Sequence, residues 1–291
     1  MGGYLRIAAA AIIWGTLAIF VRLIDLPVLV MVFYRVFFAA VSTLIYMASR
    51  REIEKLAVGR NAYLLILMGA LLALNWASFF FSIRSTSIAN AVLVTYTAPV
   101  FIAVLAPLVL KERLERVSII TLIIAVAGIF LIASPSVAGL SMRDIAGIGW
   151  AAISAVTYAI LVIIAKPLTE RISVLAMVFF EELTCAIVLS PALFFFGASI
   201  SASVLFILFI MGAVHTALAA ALYLSGLRRV KAQQAAIFTY LDPASAIIFA
   251  AVILGEVPRL TTIFGGFLIV ASGIILLILT RRHVDTEVVS E

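Results

Sequence analysis

Apolar side chains fill this chain in runs of about twenty residues, and its polar residues gather in short clusters between the runs. A run of that length, coiled as a helix, spans about 30 Å, the thickness of a bilayer's hydrocarbon core. Ten can be placed, at residues 5–24, 29–48, 62–82, 89–110, 117–134, 146–165, 173–196, 203–224, 233–254 and 260–280. Lipid offers a peptide group no hydrogen-bond partner, so helices are the spanning form expected of stretches this continuous. The short alternating segments of a β-barrel are absent from the sequence. The pattern predicts an all-α integral membrane protein of ten transmembrane helices.

The polar punctuation repeats itself. Glu112 recurs as Glu256, 144 residues later, and the same shift carries Arg22 onto Lys166, Arg84 onto Arg228 and Pro99 onto Pro243. Met68-Gly69-Ala70 returns within one residue of that offset as Met211-Gly212-Ala213. Single matches are common in so apolar a chain, and the constant spacing is what argues for duplication. The repeats are assigned to residues 1–140 and 141–291, with a short polar tail closing the second. Five spans per copy is an odd number, so the second copy must enter the membrane from the opposite face, and the repeats are expected to be inverted.

Charge supplies an independent test, because cytoplasmic loops accumulate Lys and Arg. With the N-terminus inside, the inner segments hold Arg6, Arg50, Arg51, Lys55, Arg60, Lys111, Arg113, Arg116, Lys166, Arg171, Arg228, Arg229, Lys231, Arg281 and Arg282. The outer loops hold Arg84, Arg143 and Arg259. The expected topology therefore puts both termini in the cytoplasm. Composition agrees with burial in lipid: 66% of residues are hydrophobic and 12% charged, with a mean hydropathy of +1.29. The net charge of +6 is explained by basic loops against anionic lipid, so a nucleic-acid partner is not needed. The first span reads as a retained helix rather than a secretory signal, since its apolar run is long, no cleavage site follows and its loss would break the symmetry.

Several chemistries find no support. His215 and His283 are the two histidines and Cys185 the one cysteine, so there is no intrachain disulfide, and neither HxxxH nor a cysteine pair is present to hold a metal. No GxxxxGK[ST] or GxGxxG cradle occurs, which leaves ATP-driven pumping and a nucleotide cofactor without a site. No nucleophile, base and orienting group stand together, so an enzyme is not expected. A non-transporting membrane receptor or scaffold is the other class to weigh against transport.

Asn75-Trp-Ala-Ser-Phe-Phe-Phe-Ser-Ile-Arg84, Ser-Ile-Ala-Asn-Ala91, Tyr96-Thr-Ala-Pro99 and Leu-Lys-Glu-Arg-Leu114 together resemble the EamA repeat of the drug/metabolite transporter superfamily. The second copy supplies Leu224-Ser-Gly-Leu-Arg228, Ala232-Gln-Gln-Ala-Ala236, Tyr240-Leu-Asp-Pro243 and Leu254-Gly-Glu256 in register, and Trp14-Gly15 and Arg35 also match. The resemblance covers nearly the whole chain. It implies a ten-helix secondary carrier in the cytoplasmic membrane, working by alternating access around a central cavity, as an exporter or exchanger.

The residues themselves nominate a site. Pro99 and Pro243 lack an N–H donor inside matched helices and are read as paired hinges, with static kinks as the alternative. Polar groups at membrane depth are costly and face the protein interior; here they are Arg35, Asn75, Glu181, Glu182, His215, Gln233, Gln234 and Asp242. Glu181 and Glu182 lie about 100° apart on a helix and must face different surroundings. Arg35 is expected to pair with one of them or to pack between helices. Asp242 stands where the first repeat has the neutral Ala98, which makes it the candidate for proton coupling or a cation site, and His215 is a weaker candidate of the same kind. Trp14, Trp76, Phe79, Tyr96, Tyr158 and Tyr240 are candidate cavity walls. The shift relates Trp14 to Tyr158 and Tyr96 to Tyr240. Such walls suit a small organic substrate: an amphipathic metabolite, an amino acid or an organic cation. Gly69, Ala73, Gly147 and Ala151 read as helix contact points, and Glu112 and Glu256 as helix-end pairing groups.

Overall fold

A computed structural model describes residues 1–86, 88–133, 141–196, 200–255 and 260–289. Glu256, one of the two repeat-matched glutamates, lies outside the described residues. Among those described, nine helices are long and apolar enough to cross a membrane. They are α1 (Gly2–Val21), α2 (Val28–Ser49), α3 (Gly59–Ser85), α4 (Asn90–Leu110), α6 (Met142–Arg171), α7 (Val174–Phe195), α8 (Ala202–Leu227), α9 (Ala232–Ile253) and α10 (Leu260–Leu279). A shorter apolar helix, α5 (Arg116–Ile132), makes ten. No strand occurs among the described residues.

Local chemistry sets several boundaries. Pro27 stands at the N-cap of α2, where its missing N–H is not needed. Ser141 opens α6 with a capping box: its hydroxyl accepts the Asp144 N–H, and the Asp144 carboxylate accepts the Ser141 N–H at 2.9 Å. Lys111, just past α4, and Gly255, just past α9, both adopt the left-handed conformation, at φ 57° and 68°. The 144-residue shift carries one onto the other, so matched helices end in the same backbone turn. Glycine adopts it freely, whereas lysine does so at a cost of about 1–2 kcal/mol.

Eight of the helices form a closed ring. In order around it, α1 packs on α8, α8 on α2, α2 on α7, α7 on α3, α3 on α6, α6 on α4, α4 on α9, and α9 on α1 again. Exchanging the first five helices with the last five reproduces the same ring. The remaining pair, α5 and α10, pack on one another beside α4 and α9. Lipid tails are as apolar as leucine, so close packing and polar contacts hold such helices together. The contact faces are accordingly lined by small residues such as Ala10, Ala39, Ala151, Ala155 and Ala176, all fully buried. The closest approaches are at glycines. A Cβ on Gly69 of α3 would lie 2.6 Å from the Glu181 carbonyl of α7, and one on Gly212 of α8 would lie 2.6 Å from the Arg35 carbonyl of α2. Repeat-matched glycines thus seat two candidate charged residues against the opposite half.

Candidate functional site

Both α4 and α9 are broken in the middle. In α4 the α-helix Ile88–Thr95 gives way to a turn at Tyr96 and Thr97 and resumes as Ala98–Leu105. In α9, Ala232–Phe238 gives way to a turn at Thr239 and Tyr240 and resumes as Leu241–Leu254. Each break lies two to four residues before its proline. Pro99 and Pro243 therefore sit in the first turn of a fresh helical segment, where no N–H is required. The sequence had located the irregularity at the prolines; the structure moves it to the tyrosines before them.

The breaks join the two halves. Val100 N–H turns to the Thr97 carbonyl, 2.8 Å away, and leaves the Tyr96 carbonyl free of its helical partner. Tyr240, fully buried, donates its hydroxyl to that carbonyl at 2.8 Å. The Tyr96 hydroxyl in turn donates to Asp242 Oδ2 at 2.9 Å. The two rings lie 6.3 Å apart between centroids. Where the first repeat carries Ala98, the second carries a carboxylate that captures the tyrosine of the opposite broken helix. Tyr158 of α6 interacts electrostatically with Asp242 and Glu181. Asp242, Tyr96 and Tyr158 are half-buried.

The adjoining wall comes from α1 and α8. The helix Gly2–Gly15 ends at Thr16, and Gly15 meets α9: a Cβ there would stand 2.8 Å from the Asp242 carbonyl and 2.9 Å from the Ala246 nitrogen. Alongside, α8 passes through a wider π-helical stretch, Met211–Leu218, which displaces backbone groups from their usual partners. Trp14 Nε1 donates to the His215 carbonyl at 3.0 Å. His215 Nε2 lies 2.8 Å from the Thr16 hydroxyl, which is also within 2.7 Å of the Ile13 carbonyl. Phe20 lies edge-on to the imidazole. Tyr223 packs on Trp14 at 5.6 Å and faces Tyr158, its hydroxyl left without a well-formed hydrogen bond.

A second group lies where α2, α3 and α7 meet. The Arg35 guanidinium stacks 3.9 Å above the Trp76 ring. Glu182 lies near enough to act on it electrostatically, yet Arg35 Nε and Glu182 Oε2 are both buried without a hydrogen-bond partner. Of the two expectations for Arg35, pairing with a glutamate or packing between helices, the contact formed is a cation–π packing on Trp76, which tolerates a low-dielectric site because the ring face carries its own negative potential. Glu182 is buried near Arg35, while Glu181 is half-buried near Tyr158 and Tyr223.

Other candidates are engaged elsewhere. The Asn75 amide donates to the Ser154 carbonyl at 2.7 Å and to the Ser154 and Thr157 hydroxyls, clamping α3 to α6. Phe79 contacts Trp76 and Phe80 of its own helix. Gln233 and Gln234 occupy the first turn of α9, where Gln233 donates to the Arg113 carbonyl at 2.8 Å and Gln234 to Glu115 at 3.0 Å. Among the described residues no group of three metal-ligating side chains occurs. Thr16 and Tyr223 were not singled out in the sequence. Tyr223 was within reach, because the 144-residue shift makes it the counterpart of Phe79; Thr16 carries no comparable signal.

Residues 1–134 and 145–279 each match the EamA-like transporter family. An uncharacterized transporter of Archaeoglobus fulgidus is 30% identical over 94% of this chain and 95% of its own length. The uncharacterized transporter YxxF of Bacillus subtilis is 26% identical over 99% and 92%. An S-adenosylmethionine uptake transporter of Rickettsia prowazekii is 22% identical over 88% and 84%. A crystal structure superposes with a TM-score of 0.85 at 18% identity, covering 96% of this chain and 98% of the other.

Proposed function

Since the chain belongs to the EamA-like transporter family, and is a multi-pass membrane protein by its apolar helices, we propose that it is a secondary carrier of a small, positively charged organic solute. In this reading the two inverted five-helix repeats exchange conformations around the ring, both termini are cytoplasmic, the membrane is the plasma membrane, and proton binding at Asp242 is coupled to flux in export or exchange. The observation that supports it best is the Tyr96–Asp242 hydrogen bond, which spans the two broken helices beside Tyr240 and Tyr158. Among the described side chains, Asp242, Glu181 and Glu182 stand with Arg35 at membrane depth, and aromatic faces lie beside them, a setting that favours a cation. Alternating access has a physical basis here, because similar halves packed in opposite senses can trade arrangements at little net cost.

Solute counterflow in proteoliposomes tests the proposal. The panel holds organic cations, amino acids, nucleosides and S-adenosylmethionine, the solute named for the Rickettsia relative, each with and without a pH gradient. Counterflow of a cationic member is expected, and Asp242→Asn should abolish its response to the gradient. Absence of counterflow for every member, despite tight binding of one, would favour a receptor. An unchanged gradient response in Asp242→Asn would remove that residue from coupling.

A further inference from the structure

The basic end of the ring is tied shut by a compact set of contacts. Beyond Lys111 the chain reverses in a left-handed turn, and the Glu112 carboxylate arrives at the N-terminus of α9. Both of its oxygens accept the Ala232 N–H, at 3.0 and 2.9 Å. Ala232 is the first residue of its helix and fully buried, so this N–H has neither a partner in the helix nor water. Around it, Glu115 pairs with Lys231 and accepts from Gln234 at 3.0 Å. Gln233 donates to the Arg113 carbonyl at 2.8 Å, and Tyr4 of α1 donates to Gln234 at 2.6 Å. Lys166 of α6 donates to the Leu227 and Val230 carbonyls, each at 2.8 Å, and so holds the end of α8.

We propose that Glu112 is a gate latch: by capping the N-terminus of α9 it holds the basic end of the carrier closed, and release of that cap is the step that opens this end to the cytoplasm. Two independent observations carry it. The carboxylate sits where the positive end of a helix dipole meets an orphan N–H, an interaction strong when formed and simple to break by moving one loop. The residue that aims it, Lys111, is held in a backbone conformation that a lysine leaves readily, and a non-glycine residue stays there only when its surroundings insist. The 144-residue shift places Gly255 at the matching position, so the shape of the turn is common to both repeats while the strained residue, Lys111, belongs to the first.

The latch rests on the carrier reading, and its test does not require a known solute. A cysteine replaces the fully buried Ala236, one turn beyond the cap. Its rate of modification by a membrane-impermeant maleimide is measured from each face in oriented vesicles. The parent chain, whose one cysteine Cys185 is buried, supplies the blank. Removing a hydrogen bond to a charged group should raise the open population about tenfold, so Glu112→Ala should raise labelling from the basic face by about that factor and leave the other face unchanged. Glu115→Gln, which loosens a partly exposed pair, should raise it by no more than about threefold. Glu52→Gln, in the Glu52–Lys55 pair outside the gate, should leave it unchanged. If Glu112→Ala does not fold, Glu112→Gln keeps the shape without the charge and is expected to give about threefold. Folded Glu112 variants that label at the parent rate, or equally from both faces, overturn the latch. Failure of counterflow with intact latch behaviour would sink the carrier reading alone.

Discussion

Replacing Tyr240 by Phe isolates the contact between the two broken helices. The ring and its packing are kept, while the hydroxyl that satisfies the Tyr96 carbonyl at 2.8 Å is lost. Tyr240 is fully buried, so water cannot take over. A buried carbonyl left unpaired costs about 1–3 kcal/mol. With an unfolding entropy of about 2 cal/mol/K per residue, 291 residues convert this to a fall in Tm of about 2–5 °C. Thermal unfolding of the detergent-purified protein, followed by fluorescence-detected gel filtration, reads the change. Tyr96→Phe removes the donor to Asp242 instead, and because both bonds run through Tyr96 the double variant should lose less than the sum of the single losses. A Tyr240→Phe protein that melts with the wild type would refute the claim that α4 and α9 are cross-linked at their breaks.

Pro99→Ala and Pro243→Ala together remove the rings that fix the backbone where the segments resume after the breaks, and this is expected to lower flux at least tenfold while solute binding changes less than threefold; wild-type flux in the double variant would end the hinge reading. Gly15→Ala puts a methyl group 2.0 Å from Ser245 Oγ and 2.8 Å from the Asp242 carbonyl, an overpacking cost of about 1–3 kcal/mol. Because backbone atoms of α9 are part of the clash, Ser245→Ala should fail to restore the Tm, and full restoration would show that the contact is only with the serine.

How much was legible beforehand varies from residue to residue. Trp14, Tyr96, Tyr158 and Tyr240 are related in pairs by the repeat; Tyr96, Tyr158 and Tyr240 lie beside Asp242 and Trp14 lies on the adjoining wall against His215 and Tyr223, because a rule relating two halves of a chain also relates their places in the ring. Asn75 was nominated as a polar group at membrane depth, and its amide clamps α3 to α6; a polar side chain at that depth must find a partner, but its neighbours along the helix do not reveal which. Gln233 and Gln234 were placed within a span by hydropathy, yet they fasten the end of α9, since a window average cannot separate the first turn of a helix from its middle. Arg35 was expected to pair with a glutamate or to pack between helices, and it rests on Trp76 of the neighbouring helix, a partner set by which helix face turns inward.

The sequence by itself determined the ten apolar helices, the duplication and the charge asymmetry between loops. It could do so because lipid leaves the backbone no alternative to helix and because basic residues resist translocation. Only the tertiary structure decided that the breaks fall at Tyr96 and Tyr240 rather than at the prolines, that Asp242 answers Tyr96, and that Glu112 caps α9. Each depends on which helices become neighbours in the ring, and that order is set by packing between surfaces far apart in the chain.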